Sequence, residues 1–239
     1  MNKAEKYKDL FNKDFLMGPN SLRLLDEMLQ KYPIETGLKV LDLGCGKGLT
    51  SLFLAKETRA TVFAVDLWCS ATDNNKRFQE WGIADSVIPI HADANDLPFA
   101  NEYFDVVVSI DSFHYFATQP HFFEEKILPL LKRDGAAILA MPGLKKEIHG
   151  QEPELMLEWV NGEESEYELF HSREWWLEHI GRSEQFEIVK DFDLECFDAA
   201  WKDWFLSKHP FAIRDEIYFE KGVDQYLSIV GLIIKRVQG

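Results

Sequence analysis

Positive charge is scarce in this chain. Its 239 residues carry 26 Lys and Arg against 41 Asp and Glu, a formal net charge of −15. A protein that neutralises nucleic-acid phosphates needs a basic face, and no basic cluster interrupts this sequence. We therefore expect no nucleic-acid partner, and the charge favours a neutral or cationic ligand.

Cysteines are few, and long apolar runs are missing. Cys45, Cys69 and Cys196 are too widely separated for a disulfide framework or a zinc knuckle. The first residues do not form a signal peptide, and the apolar stretches near Val106 and Ile229 are shorter than the ~20 residues of a membrane span. We expect a cytoplasmic protein with no membrane span.

The seven histidines are scattered along the chain, which predicts no metal site.

Short β-branched runs alternate with amphipathic stretches between Leu38 and Met141. This alternation is typical of a parallel sheet wrapped by helices. The predicted strands are Leu38–Leu43, Thr61–Asp66, Val87–His91, Tyr103–Ile110 and Ala136–Met141, then Phe186–Phe192 and Tyr226–Val237. The predicted helices are Ala4–Asn12, Ser21–Lys31, Leu49–Lys56 and His121–Lys132, with further helical pieces around Leu155, Trp176 and Trp201.

The length suits one domain. We expect a single domain over residues 1–239, in which 1–35 form an amino-terminal helical lid and 36–142 a cofactor-binding core. Residues 143–225 then form an acidic, aromatic lid with the sixth strand, and 226–239 the last strand.

The segment "VLDLGCGKGLT" follows the first strand and opens a helix. Its glycines stand where a backbone must approach a ligand closely. A dinucleotide fingerprint needs its third glycine at position 49, which is Leu49. The spacing therefore makes an NAD-dependent oxidoreductase a weaker alternative.

Three aspartates narrow the choice of ligand. Asp42, two residues ahead of the glycine loop, would repel a pyrophosphate and suit a ligand with positive charge, such as S-adenosylmethionine. Asp66 ends the second strand, where a carboxylate can accept both hydroxyls of a ribose. Asp93 follows the third strand and is placed to accept from an adenine amino group.

These residues resemble the class I S-adenosylmethionine-dependent methyltransferases, in the small-molecule branch that includes quinone-biosynthesis and phosphobase N-methyltransferases. Five motifs match in order over residues 40–142, ending with "FDVVVSIDSFHYF" and "LLKRDGAAILAMPG". The departure from the family pattern is Asp134, where the family often has Gly. The resemblance implies an α/β, three-layer Rossmann-like sheet of about seven strands, mostly parallel with an antiparallel last strand, flanked by the two lids.

The resemblance also implies a set of site residues for S-adenosylmethionine. The implied cofactor-binding residues are Asp42, Gly44, Cys45, Gly46, Gly48, Asp66, Leu67, Asp93, Ala94, Ser109 and Ile110.

The segment "SIDSFHYF" should face the acceptor, because ligands of an open parallel sheet lie across the carboxyl ends of its strands. We expect Asp111 and Tyr115 to bind substrate and His114 to act as a general base, for which a histidine near neutral pKa is suited. The alternatives are a helix cap for Asp111 and packing for His114. By resemblance, Tyr7 in the amino-terminal lid would meet His114 in catalysis, although Tyr7 also fits an apolar helix face.

The segment "NGEESEYELFHSREWW" lies where phosphobase methyltransferases hold a substrate phosphate. Tyr167 matches one of their tyrosines and is a third candidate for substrate binding. Glu163, Glu164 and Glu166 disfavour an anionic acceptor. We therefore expect a methyltransferase for a small neutral or cationic acceptor, with N preferred over O or S. The alternatives are a catalytically silent S-adenosylmethionine-binding regulator and, more distantly, an aminopropyl transferase.

Overall fold

The computed structural model describes residues 2–160 and 167–237. In these residues one mixed sheet runs through the molecule in the order β3-β2-β1-β4-β5-β8-β7, and β6 pairs with β5 off this path. The strands are β1 (Lys39–Leu43), β2 (Thr61–Asp66), β3 (Val87–His91), β4 (Phe104–Ile110), β5 (Leu131–Leu144), β6 (His171–Ser172), β7 (Phe186–Asp193) and β8 (Leu227–Arg236).

The pairing confirms the expected fold class. All pairs among β1 to β6 are parallel, and β8 runs antiparallel to both β5 and β7. The sheet has one strand more than predicted, since the two-residue β6 is too short for a periodic signal. Strand β5 is also longer than its predicted core of Ala136–Met141, because its carboxyl half continues to pair with β8 as far as Leu144.

Helices cover both faces of the sheet. They are α1 (Ser21–Lys31), α2 (Leu49–Thr58), α3 (Ala71–Glu80), α4 (Glu154–Trp159), α5 (Arg173–Ile180), α6 (Phe197–Leu206) and α7 (Pro210–Glu220). Side chains fix several starting points: Asn20 caps α1, Ser70 caps α3 and Ser172 caps α5, each accepting a backbone N–H of the first turn.

Alternate residues of the central strands point to opposite faces. Val106 and Val108 pack with the side chains of α1 and α2, whereas Val107 packs with Trp176 of α5 on the other face. A strand buried on both sides reads as a continuous apolar run, as β4 does. The carboxyl ends of the parallel strands β1 to β4 lie together at one edge of the sheet.

Two helix predictions need correction. Residues 4–10 form a 3₁₀ helix (Ala4–Leu10) that ends before the predicted Asn12. The single helix predicted over His121–Lys132 is a π-helical turn (Phe123–Ile127) followed by a 3₁₀ turn (Leu128–Leu130). Pro129 lacks a backbone N–H and cannot continue an α-helix, and Leu131 already belongs to β5. No helix in residues 2–160 and 167–237 has the length and apolar character needed to cross a bilayer.

Candidate functional site

A cavity of about 280 Å³ lies at the carboxyl ends of β1 to β4. Each strand contributes the residues that follow it. Ten of the residues predicted from the sequence line the cavity: Gly44, Cys45, Gly46, Asp66, Leu67, Asp93, Ala94, Ile110, Asp111 and Tyr115. Its size is near the lower end of the range for small-ligand pockets.

The loop between β1 and α2 forms the cavity floor. Gly44, Gly46 and Gly48 all have positive φ. At Gly44, where φ is +77°, a Cβ would also lie 2.3 Å from the side chain of Ser112, so any side chain there meets both backbone strain and overlap. Gly44 and Gly46 line the cavity, and having no side chains they present backbone to it.

Asp66 holds the loop and the next turn together. One carboxylate oxygen accepts the backbone N–H of Gly46 at 2.8 Å, and the other accepts those of Trp68 and Cys69. These bonds still leave carboxylate lone pairs directed at the cavity, since a carboxylate has about four acceptor sites. The side chain can thus hold the loop and accept a hydroxyl from a ligand.

Asp93 forms a turn beside Asp66. Its Oδ1 accepts the backbone and side-chain N–H groups of Asn95, and these bonds lower the pKa of the Asp93 carboxyl. The aspartate stays ionised at neutral pH and lines the cavity together with Ala94. This geometry suits a ligand that donates a hydrogen bond.

Asp42 lies behind the loop instead of in the cavity. It is buried and accepts the hydroxyl protons of Thr50 and Ser51 from α2. Burial raises its pKa to about 6, although the two hydroxyl groups oppose the shift. Asp42 therefore fixes the start of α2, and its effect on a bound cation would be electrostatic.

Ser109 and Gly48 also lie outside the cavity lining. Ser109 is fully buried, and its hydroxyl donates to the carbonyl oxygen of Leu43. Gly48 is the N-cap residue of α2, and its amide donates to the carbonyl oxygen of Cys45. Both residues shape the loop on which the cavity floor rests.

Asp111 has the most unusual environment at the site. It lines the cavity with φ of +57°, and burial raises the pKa of its carboxyl to about 8. Within the described ranges no hydrogen bond or ion pair reaches this carboxylate. The side chain is half-buried at the cavity wall, and carboxyls with a raised pKa in a cleft concentrate at functional sites.

His114 lies outside the cavity lining. It is buried, its Nδ1 has no partner among the described residues, and burial lowers its pKa to about 3. Its ring lies 4.1 Å from that of Tyr115 and 6.2 Å from that of Phe170. The imidazole is therefore a neutral, packed group in this structure.

The structure does not bring Tyr7 and His114 together. The Tyr7 hydroxyl donates to Glu57 near the end of α2, its ring packs on Phe53, and burial raises its pKa. Tyr7 fits the apolar helix face that its spacing also allowed. Tyr167 likewise lies outside the cavity lining, buried with its ring 4.7 Å from that of His149. Glu163, Glu164 and Glu166 lie outside the described residues.

Sequence reasoning expected an amino-terminal lid over residues 1–35, but it named none of the residues that form the cavity roof and it missed part of the rim. Phe15, Leu16, Met17, Gly18 and Pro19 line the cavity from the amino-terminal side. Trp68 and Tyr115 stand at the rim with exposed fractions of 67% and 48% and ring centroids 4.8 Å apart. The position of Trp68, directly after Asp66 and Leu67, was the available signal.

The site fits S-adenosylmethionine. Gly44 and Gly46 present backbone to the cavity, and Asp66 and Asp93 offer acceptors for the hydroxyl and amino groups of the cofactor. A polar set of this kind in a mostly preformed cavity is what a small charged ligand requires.

Comparison with known proteins points the same way. A family model described as "Methyltransferase domain" matches residues 41–139. Human mitochondrial arginine-hydroxylase NDUFAF5 is 37% identical over 131 residues, which cover 54% of this chain and 35% of that protein. Sarcosine/dimethylglycine N-methyltransferase of Aphanothece halophytica is 33% identical over 91 residues, covering 38% and 32%. The chain thus spans about a third of the length of these curated relatives.

Solved structures share the fold over a longer stretch. Phosphoethanolamine N-methyltransferase 2 of Haemonchus contortus, in complex with S-adenosyl-L-methionine, superimposes with a TM-score of 0.75 at 20% identity. The superposition covers 100% of this chain and 58% of that one.

Proposed function

Because residues 41–139 form a class I S-adenosylmethionine-dependent methyltransferase domain, we propose that the protein methylates a nitrogen of a small amine. The bound cofactor would supply a methyl group on a positively charged sulfur. Residues 36–142 would hold it, with Asp66 accepting from its ribose hydroxyls and Asp93 from its adenine amino group. The flanking segments 1–35 and 143–225 would shape the acceptor side.

Asp111 is the observation that carries the proposal. Its carboxylate faces the cavity, has no partner in the described part of the chain, and has a pKa raised by burial to about 8. A cation placed against it would provide the missing partner and favour its ionised form. A phosphate or carboxylate acceptor would meet repulsion instead, so a cationic or neutral amine is favoured.

Asp111 also suits proton transfer better than His114 does. An ammonium acceptor must lose a proton before its lone pair can attack, and the best base has a pKa near the working pH. The Asp111 carboxyl, at about 8, meets that condition, whereas the His114 imidazole, at about 3, does not. We propose that Asp111 releases its own proton to solvent when the ammonium binds, pairs with the ammonium as a carboxylate, and then takes the ammonium proton as the lone pair attacks the methyl group. His114 would pack the wall behind Tyr115.

The rim of the cavity adds an aromatic surface for the amine. Trp68 lines the same cavity as Asp111 and meets Tyr115 edge to face. An organic cation gains about 0.5–2 kcal/mol from an aromatic face. Trp159 and Trp204 of the lid make no comparable surface, since both donate to Asp215 and are buried.

Three unpaired cysteines, Cys45, Cys69 and Cys196, suit a reducing compartment. We propose the cytoplasm on this ground. Fractionation of the native host followed by immunodetection would test it, and recovery from an oxidising compartment or an organelle would contradict it.

The test is an acceptor screen that measures release of S-adenosylhomocysteine. Matched small amines, alcohols, thiols and phosphorylated amines would be offered, and mass spectrometry would identify the modified atom. We expect turnover with one or more amines, lost by at least about 100-fold in Asp111→Asn, while calorimetry shows cofactor binding retained. Asp66→Ala should instead weaken cofactor binding.

Other outcomes would separate the alternatives. Cofactor binding without turnover on any acceptor favours a regulatory binding protein. Preferred turnover on alcohols, thiols or phosphorylated amines refutes the amine proposal but keeps the methyltransferase. Tight binding of NAD without any binding of S-adenosylmethionine would overturn both the methyltransferase and the regulatory S-adenosylmethionine-binding protein.

A further inference from the structure

A second cluster of polar side chains lies between β5 and α5. Glu147 and His149 follow the end of β5, and His171 begins β6. The strands meet because Gly143 has no side chain: a Cβ there would lie 2.5 Å from the carbonyl oxygen of His171. The parallel pairing of Gly143 with His171 thus brings together residues that are far apart in sequence.

The three side chains converge on a small volume. One ligand atom from each of Glu147, His149 and His171 lies within 4.8 Å of the other two. Oε1 of Glu147 faces Nδ1 of His149, with which it makes a short contact, and Nδ1 of His171 at 3.4 Å. The other oxygen, Oε2, accepts the backbone N–H of Ser172 at 3.0 Å.

Neighbouring groups hold the rings in place. Trp175 stacks on His171 with centroids 3.5 Å apart and nearly parallel planes. The two imidazoles lie 4.7 Å apart. Oriented ligands of this kind are typical of metal sites, where surrounding groups fix the rings and the carboxylate.

Two buried polar atoms beside the cluster have no protein partner. Within the described residues, neither Nε2 of His149 nor the hydroxyl of Tyr167 makes a hydrogen bond. Buried polar atoms are nearly always paired, so an unpaired one calls for an explanation such as a bound ion or water. The rings of His149 and Tyr167 are neighbours, and their centroids lie 4.7 Å apart.

The geometry points to a divalent metal site formed by Glu147, His149 and His171. Two imidazoles and one carboxylate suit borderline ions such as Zn²⁺, Fe²⁺ or Co²⁺ better than Mg²⁺ or Ca²⁺, which prefer oxygen ligands. The remaining coordination position would take a water, with the Tyr167 hydroxyl available to bond it. None of the three residues lines the cavity described above. The ion would therefore join the segment after β5 to β6 and the start of α5.

Zn²⁺ titration of the tag-free full chain tests the site. A chromophoric chelator competing for Zn²⁺ gives both stoichiometry and affinity after the protein has been stripped with chelator. We expect one Zn²⁺ per chain. Removing a residue that only hydrogen-bonds to a metal ligand lowers metal affinity about 10–100-fold. Removing a ligand itself, as in Glu147→Gln or His149→Asn, should therefore lower Zn²⁺ affinity at least about 100-fold. His121→Asn, the same change at an exposed histidine, should bind as the unmodified chain does.

Two readouts besides the chelator titration complete the test. Zn²⁺ at about 100 times the Kd of the unmodified chain should raise the Tm by ~5 °C or more in the unmodified chain and in His121→Asn. The two cluster variants should show no such rise. Co²⁺ should give visible absorption that both cluster variants lose. Absence of Zn²⁺ binding in the unmodified chain overturns the proposal. So does equal binding in both cluster variants, each checked for folding by circular dichroism.

Discussion

Replacing Asp111 by Asn should stabilise the protein while abolishing its proposed activity. The amide has nearly the same shape as a protonated carboxyl, and either group lacks a partner in the cavity wall. The cost of an unpaired neutral group therefore cancels in the comparison. What remains is the free energy needed to protonate Asp111, which the Asn variant does not bear.

The magnitude follows from the pKa. Burial raises the Asp111 pKa from 3.8 to about 8, so between these values the folded state holds a proton that the unfolded state releases. Below pH ~4 the carboxyl is protonated in both states, and Asp111 costs the unmodified chain no stability relative to the variant. As pH rises from ~4 through the folded pKa, the unmodified chain loses stability relative to the variant. At 1.36 kcal/mol per pH unit, the variant should be more stable by about 2 kcal/mol at pH 5, about 4 at pH 7 and about 6 above pH 8. These are upper limits, because the carboxyl borders the cavity.

Urea unfolding followed by tryptophan fluorescence measures the difference at about pH 5, 7 and 9. Asp85→Asn, the same change at an exposed carboxylate, serves as the control and should track the unmodified chain at every pH. A variant that is less stable than the unmodified chain at pH 7, or a difference that does not grow with pH, would refute the reasoning. The same samples, assayed for amine turnover, should show activity lost as stability rises.

Two further substitutions separate steric from aromatic contributions. Gly44→Ala should cost about 2–5 kcal/mol of unfolding free energy and weaken cofactor binding in calorimetry, because backbone strain adds to overlap with Ser112. Gly37→Ala has similar φ and open space around it, so it should cost only about 1–2 kcal/mol; equal losses would contradict the packing argument. Trp68→Ala should raise the amine KM about tenfold with kcat retained, whereas Phe211→Ala, similarly exposed, should leave KM unchanged in steady-state assays. An unaltered KM for Trp68→Ala would exclude the rim from acceptor binding.

Much of the sheet could be predicted because its strands are apolar runs with sharp ends. The predicted bounds of β2 and β3 match the structure residue for residue. Helix α3 was missed because it lies on the surface: of its ten residues only Asn74 and Phe78 are buried, which is too few to produce an apolar period. The capping serine at position 70 was its one available signal.

The site was predictable where one residue follows one strand. Asp66, Asp93 and Asp111 reach the cavity because the carboxyl ends of parallel strands share an edge. Which of the residues after a strand face the cavity depends on packing: Asp111 lines the cavity, whereas the buried His114 does not. The approach of Glu147 and His171 depends on the pairing of β5 with β6, which a two-residue strand does not reveal in sequence.

The segment that roofs the cavity, residues 15–19, can move only a short distance. Leu16 is buried, and Asn20 is fixed by the carbonyl oxygen of Ala200 and the carboxylate of Asp203. Only Met17, Gly18 and Pro19 lie between these anchors, and a chain extends by at most ~3.5 Å per residue. The opening can therefore widen by no more than the slack in three residues. A larger displacement of the roof would require release of the anchors at Leu16 or Asn20.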